Sequence, residues 1–235
     1  MIRNLARTMG IAAAFLVIGS AGPVAAQYAP VPPTDAADVA KACAAQACRP
    51  GGYGVVVRLD TTHATTVPVA QTPYILDDGA ILIFPGETFA VQFTVTDGKL
   101  GAPVFYKDFA PHLPALVKTA DSAAANPTDG TLPPSPPPVD GKAISQLPPN
   151  TVLLSYGPSD QVPGANLVIE SNLPAALKFN AVMYAAGATG FGQTPTSTCP
   201  IGSGLMSFEM WQQPLGPMIL TKARLLGDHD SMVCD

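Results

Sequence analysis

Leu177-Lys178-Phe179-Asn180-Ala181-Val182-Met183-Tyr184 is the stretch whose reading decides the fold. Leu177, Phe179, Ala181 and Met183 fall on one face, and Lys178, Asn180, Val182 and Tyr184 on the other. Period-two alternation fits a strand with one dry face and one wetter face. Just upstream, Ala165-Asn166-Leu167-Val168-Ile169-Glu170 reads as another strand, and Ser171-Asn172-Leu173-Pro174 between them has turn chemistry. Downstream, Gly187 to Pro200 is rich in Gly, Pro and Thr and reads as too broken for a long element. Leu205 to Gln212 alternates again, with Met206, Phe208 and Met210 on one face and Ser207, Glu209 and Trp211 on the other. Pro214 and Pro217 bracket a turn. Met218 to Leu226 is the last strand, with Ile219, Thr221, Ala223 and Leu225 sharing a face. Strands this closely spaced, joined by turns, predict an antiparallel sandwich, because a parallel sheet would need helical crossovers.

Working outward, the same pattern recurs toward the N-terminus. Tyr53 to Leu59 alternates, and Ala64 to Ala70 is a Thr/Val-rich strand that Pro68 assigns to an edge. Asp77-Asp78-Gly79 is a turn between Tyr74–Leu76 and Ala80–Phe84. Pro85-Gly86 suits the centre of a type II turn. Thr88 to Thr96 points Phe89, Val91, Phe93 and Val95 inward. Asp97-Gly98 is the best two-residue hairpin signal, with Lys99 to Tyr106 as the return strand. Thr151 to Tyr156 restarts the pattern after a gap. The predicted fold is all-β: an antiparallel Ig-like β-sandwich of about nine or ten strands, with a short N-terminal helix and a Pro-rich loop.

The gap is the Pro-rich loop 110–150. From Pro127 to Pro149, eight of twenty-three residues are proline, which lacks the N–H a ladder needs. The expectation is a solvated, polyproline-like excursion, with one short helix over Leu116 to Ala125. The Ala-rich run Thr34 to Gln46 predicts the N-terminal helix, with Thr34 as its cap and Asp35 and Asp38 suiting its dipole.

Met1 to Ala26 has the layout of a secretory signal. Arg3 and Arg7 make a basic start, Ile11 to Ile18 is too short to span a bilayer, and Val24-Ala25-Ala26 precedes cleavage at Gln27. No cysteine sits in a lipobox-like position after the apolar run, so no lipid anchor is expected. The predicted organisation is residues 1–26 as signal, 27–52 as a tail carrying the helix, and 53–235 as one sandwich domain interrupted by the Pro-rich loop. The expected address is the periplasm or the cell exterior. The chain has 12 basic and 17 acidic residues, and removal of Arg3 and Arg7 leaves 10 against 17, a net of −7. Without clustered Lys or Arg, nucleic acid is excluded as a partner class. After signal cleavage no membrane span is expected.

Cys43, Cys48, Cys199 and Cys234 are an even set in an exported chain, which favours disulfides. Four cysteines allow three connectivities, and sequence alone does not choose among them. The favoured pairing is Cys43–Cys48, close in sequence, and Cys199–Cys234, which would tie the C-terminal tail back. Cys-x₄-Cys without a second Cys or His pair is not a zinc spacing.

The run Leu167-Val168-Ile169-Glu170-Ser171-Asn172, then Ala176-Leu177-Lys178-Phe179-Asn180-Ala181, Thr198-Cys199-Pro200, Phe208-Glu209-Met210-Trp211 and Pro214 resembles secreted β-sandwich proteins of proteobacteria. These are small exported chains without an assigned activity. The resemblance covers roughly the last third of the chain. It implies an Ig-like sandwich and a periplasmic address, and it carries over no catalytic residue.

No motif of catalysis or ligand binding rises above chance. His63 and His112 lie in predicted loops without carboxylate or Cys companions. Asp228-His229-Asp230-Ser231-Met232-Val233-Cys234 combines imidazole, thioether and thiol, the ligand types of copper sites. The order His229, Met232, Cys234 is not the usual one, and Cys234 has a better use in a disulfide. There is no Gly-x-Ser-x-Gly; Gly202-Ser203-Gly204 is a turn, and adjacent Asp77-Asp78 suits a turn as well. A Ser-His-acid triad is defined by geometry, so sequence leaves it open. Trp211 is expected to pack rather than to present itself to a partner. The expected function is a non-enzymatic binding or structural module, without cofactor or metal, that meets an unknown protein or surface partner. A sheet edge such as Ala64 to Ala70 is the candidate docking element. The alternatives are periplasmic copper handling through His229 and Met232, and an exported hydrolase.

Overall fold

The structure, a computed structural model, describes residues 35–60, 64–113, 117–119, 147–159, 164–187, 190–227 and 229–234. Helix α1 spans Ala36–Ala45. Asp35 caps it by accepting a hydrogen bond from Ala37 N, the position the sequence assigned to Thr34. Strands follow as β1 Cys48–Arg49, β2 Tyr53–Arg58, β3 Ala64–Val69, β4 Thr72–Pro73, β5 Ile81–Ile83, β6 Glu87–Gln92, β7 Val95–Thr96 and β8 Lys99–Leu100. Then come β9 Val104–Asp108, β10 Val117–Thr119, β11 Thr151–Pro158, β12 Ala165–Ser171, β13 Leu177–Gly187, β14 Gly190–Ser197, β15 Met206–Trp211 and β16 Leu215–Leu225.

All described pairings are antiparallel. The larger sheet runs β15-β12-β11-β6-β9 and the next β14-β13-β16-β5. They bury their facing sides in one core: Phe89, Val91, Val152, Leu154, Leu167 and Ile169 from the first meet Phe179, Ala181, Met183, Met218 and Leu220 from the second. Tyr156 lies within this core and donates a hydrogen bond to Gly216 O at 2.9 Å, linking the sheets. The other side of the four-stranded sheet is also dry. Leu82, Ile219, Val182 and Tyr184 pack there with Val55, Val69 and Tyr53 of the small sheet β10-β2-β3. The described residues therefore form three layers, because the middle sheet is apolar on both faces.

Several local expectations meet the structure directly. Gly86 has φ 92°, and Glu87 N donates to Phe84 O, as a type II turn at Pro85-Gly86 requires. Asp97 and Gly98 both have positive φ, 50° and 72°, and join β7 to β8. β3 is an edge strand, with Pro68 exposed.

Four expectations are corrected. The stretch read as too broken holds β14, paired residue for residue with β13 from Asn180↔Ser197 to Gly187↔Gly190. It is an exposed edge strand, so no apolar alternation marks it. The turn expected at Pro214 and Pro217 is partly strand, since β16 begins at Leu215 and runs through Pro217. The faces of β16 also differ. Lys222 adopts φ 49° and the register against β13 shifts there, so Met218 and Leu220 reach the main core before the bulge and Ala223 and Leu225 after it. Within the span read as a helix, Val117–Thr119 is a strand paired with β2; the remaining residues of that span, the proline cluster before residue 147 and the signal lie outside the described residues.

Candidate functional site

Two places concentrate polar chemistry. The first begins at Arg49, which follows Cys48 directly. The Cys43–Cys48 disulfide fastens the end of α1 to β1 and so fixes where Arg49 enters. Its guanidinium is fully buried. Arg49 Nε donates to Glu87 Oε1 at 2.7 Å and Nη2 to Glu87 Oε2 at 3.1 Å. Nη1 donates to Pro73 O and Nη2 also to Leu82 O. The guanidinium carbon lies 4.3 Å from the Tyr74 ring centroid and 5.0 Å from that of Phe84. A planar, forked cation does all of this at once, which an ammonium cannot. Glu87 Oε2 further accepts from Phe84 N. Burial, and then the Glu87 charge, push the Tyr53 hydroxyl up to about 12. Burial, with Asp108 beside it, also holds the Tyr74 hydroxyl far above its ordinary range. These phenols are donors, not bases. The cluster ties the N-terminal unit to the first strand of each large sheet, β5 and β6, and its main groups are committed to one another.

The second place is the outer face of the five-stranded sheet. Register sets Thr88, Ser155 and Val168 in one row and Ala90, Leu153 and Glu170 in the next. This face is buried at Thr88, Ala90, Leu153, Ser155, Asn166 and Glu170. His112 comes over it: its N–H donates to Thr88 Oγ1 at 3.0 Å, and its Nδ1 lies 3.2 Å from Ser155 Oγ. Burial lowers the His112 pKa, so the neutral ring is favoured. Burial raises the Glu170 carboxyl pKa, and no hydrogen bond reaches it among the described residues. Thr151 Oγ1 and Asn166 Oδ1 are buried without partners among the described residues. Ser155 and His112 have the spacing of a nucleophile and base. No carboxylate hydrogen-bonds His112 among the described residues, and Ser155 is only 1% exposed.

This face ends at β15, where burial stops. Met206, Phe208 and Met210 share the outer face with Glu170, Val168 and Asn166, and are 65%, 60% and 53% exposed. Their neighbours face inward. Trp211 packs against the main core, as its sequence position suggested. Glu209 accepts a hydrogen bond from Cys199 N at 2.8 Å.

The sequence-derived candidates fall as follows. Cys43–Cys48 and Cys199–Cys234 are both bonded, and no free cysteine remains. They fit an oxidising, extracytoplasmic environment. His229 and Met232 are exposed in the tail, where the Cys234 sulfur is spent on its disulfide. Among the described residues no group of three or more His, Cys, Asp and Glu side chains is placed to hold a metal, and no helix is long and apolar enough to cross a membrane. Ser203 serves the turn by donating to Leu173 O, and Asp78 accepts from Ala80 N. His63 lies outside the described residues. His112, read as a loop residue without companions, is half-buried against Ser155. Arg49 and Glu87 had no sequence signal, because 38 residues separate them. Comparison with family models, with curated proteins and with solved structures gave no match.

Proposed function

We propose that this chain is an exported, non-enzymatic binding module that meets its partner through the open edge and outer face of β15. The two large sheets would form the Ig-like sandwich of such a module, placed in the periplasm or beyond, with the small sheet as an added layer. The carrying observation is the exposed apolar triplet Met206, Phe208 and Met210 at a sheet edge. Soluble proteins leave such strips open mainly where something docks. The test is capture from the native extracytoplasmic fraction with the mature protein and its Phe208→Lys variant as baits. A protein retained by the first and lost by the second supports the reading. Identical retention by both baits would end it.

The Ser155–His112 contact favours a second reading, an exported hydrolase. Labelling of Ser155 by a fluorophosphonate that stops in His112→Ala would establish a reactive serine; an unlabelled protein removes this reading.

A further inference from the structure

We infer that β15 pairs with β15 of a second copy of this chain, antiparallel and centred on Phe208. The inference rests on the docking role proposed for that strand and names its occupant.

Edge strands are normally blunted by Pro, Lys, bulges or short length. The other long edges here follow that rule. β3 carries Pro68, β14 carries Pro195, and β9 carries Lys107 and a register shift against β6. β15 reads Met206-Ser207-Phe208-Glu209-Met210-Trp211 and has neither Pro nor Lys. Its one charge, Glu209, turns away from the exposed face and is held by Cys199 N.

Backbone and side chains on β15 point the same way. Ser171 N donates to Leu205 O, which sets the alternation of the ladder with β12. Ser207, Glu209 and Trp211 then turn their N–H and C=O groups to β12, and Met206, Phe208 and Met210 turn theirs to the open side. A two-fold axis at Phe208 sets Phe208 against its own mate and Met206 against Met210. On the inner side it sets Glu209 opposite Ser207, not opposite a second Glu209. Every apolar residue meets an apolar one, and no like charges face each other. The whole chain is acidic, at −5, so this uncharged strip is where two copies can approach.

The area is sufficient for a weak pair. Met206, Phe208 and Met210 are 65%, 60% and 53% exposed. At roughly 200 Å² per large side chain, the strip offers about 350 Å² per copy and about 700 Å² for the pair, the size of a weak, transient contact. The ladder across the two edges adds direction to that burial.

The experiment is sedimentation velocity on the full mature protein from low-micromolar to near-millimolar concentration, with cysteine cross-linking to read the register. The expected result is a reversible shift from monomer to dimer mass, weakened about tenfold or more in Phe208→Lys. Phe208→Cys should cross-link to itself. Met206→Cys should cross-link with Met210→Cys but not with itself, since two-fold pairing separates the two Met206 positions by four residues. A monomer at all concentrations overturns the inference, as does a dimer indifferent to Phe208→Lys or a different cross-linking register. If the protein is monomeric while Phe208→Lys still abolishes capture of another protein, the docking role stands and only the second copy is wrong. If capture is also unchanged, both are wrong.

Discussion

Arg49 and Glu87 are the residues on which the N-terminal unit depends. Their side chains are 1% and 14% exposed, so water does little to screen the pair. Removing one partner of such a pair strands the other charge. Arg49→Met should therefore cost about 3–5 kcal/mol in urea unfolding, and adding Glu87→Gln should recover part of it. A single-variant loss within experimental error of zero would mean that an apolar side chain packed against Tyr74 and Phe84 replaces what the ion pair supplies. Glu170 has the opposite character. Burial raises its carboxyl pKa above 4.5, so the folded state holds the proton more tightly than the unfolded one. Its contribution is present at low pH and is lost as pH rises through the folded value. Glu170→Gln should raise the urea midpoint at pH 7, with the gain shrinking toward pH 4. An unchanged or lowered midpoint at pH 7 would show that an ionised Glu170 is well accommodated.

At the scale of elements, the C-terminal tail is held by a single covalent tie. Cys199–Cys234 spans 35 residues that include β15 and β16. In the chain-entropy account, closing a loop of that length contributes ~3–4 kcal/mol. Cys199→Ser with Cys234→Ser should lower stability by that order in chemical denaturation. The shorter Cys43–Cys48 link, five residues apart, should matter less in the same assay. Equal losses would mean that the first disulfide acts mainly by seating Arg49. Backbone geometry also constrains elements. Gly51 has φ 72°, and a Cβ there would fall inside the backbone of Gln71, so the crossing of β1 into β2 requires glycine. β15 and β14 show how edge strands escape sequence patterns. β14 is exposed and has little apolar content to alternate, while β15 alternates cleanly but with its apolar side outward.

For the whole molecule, the three layers follow from the two dry faces of the four-stranded sheet. Leu82 and Ile219 point one way, while Ile81, Met218 and Leu220 point the other. A single sandwich would leave the first set in water, at a cost of about 1.5–3 kcal/mol for each large side chain, so β2 and β3 cover it. The disulfides carry the prediction at this scale. Protein recovered from its native compartment should begin at Gln27 and take up no thiol reagent before reduction, as intact mass would report. An N-terminus at Met1, or alkylation of Cys234 without reduction, would overturn the exported, stapled chain.

Most strands were legible because they alternate: Phe89, Val91, Phe179, Ala181 and Met183 all face the core their spacing indicated. Two turns with φ-specific residues, at Gly86 and at Asp97-Gly98, were legible because local sterics decide them. The bulge at Lys222 was not, since it exists only to keep β16 in register with β13. The sites were less legible than the fold. Both disulfides could be proposed from spacing and compartment, but the Arg49–Glu87 pair and the Ser155–His112 contact join residues far apart in the chain. By itself the sequence determined the β-rich character, the Pro85-Gly86 and Asp97-Gly98 turns and which side of β6 and β13 faces the main core, because these follow from local stereochemistry and period-two burial. Only the tertiary structure decided that the middle sheet is covered twice, that Arg49 is buried, and that Met206, Phe208 and Met210 face outward. Those outcomes depend on which surfaces meet, and alternation along one strand is the same whichever side the partner lies on.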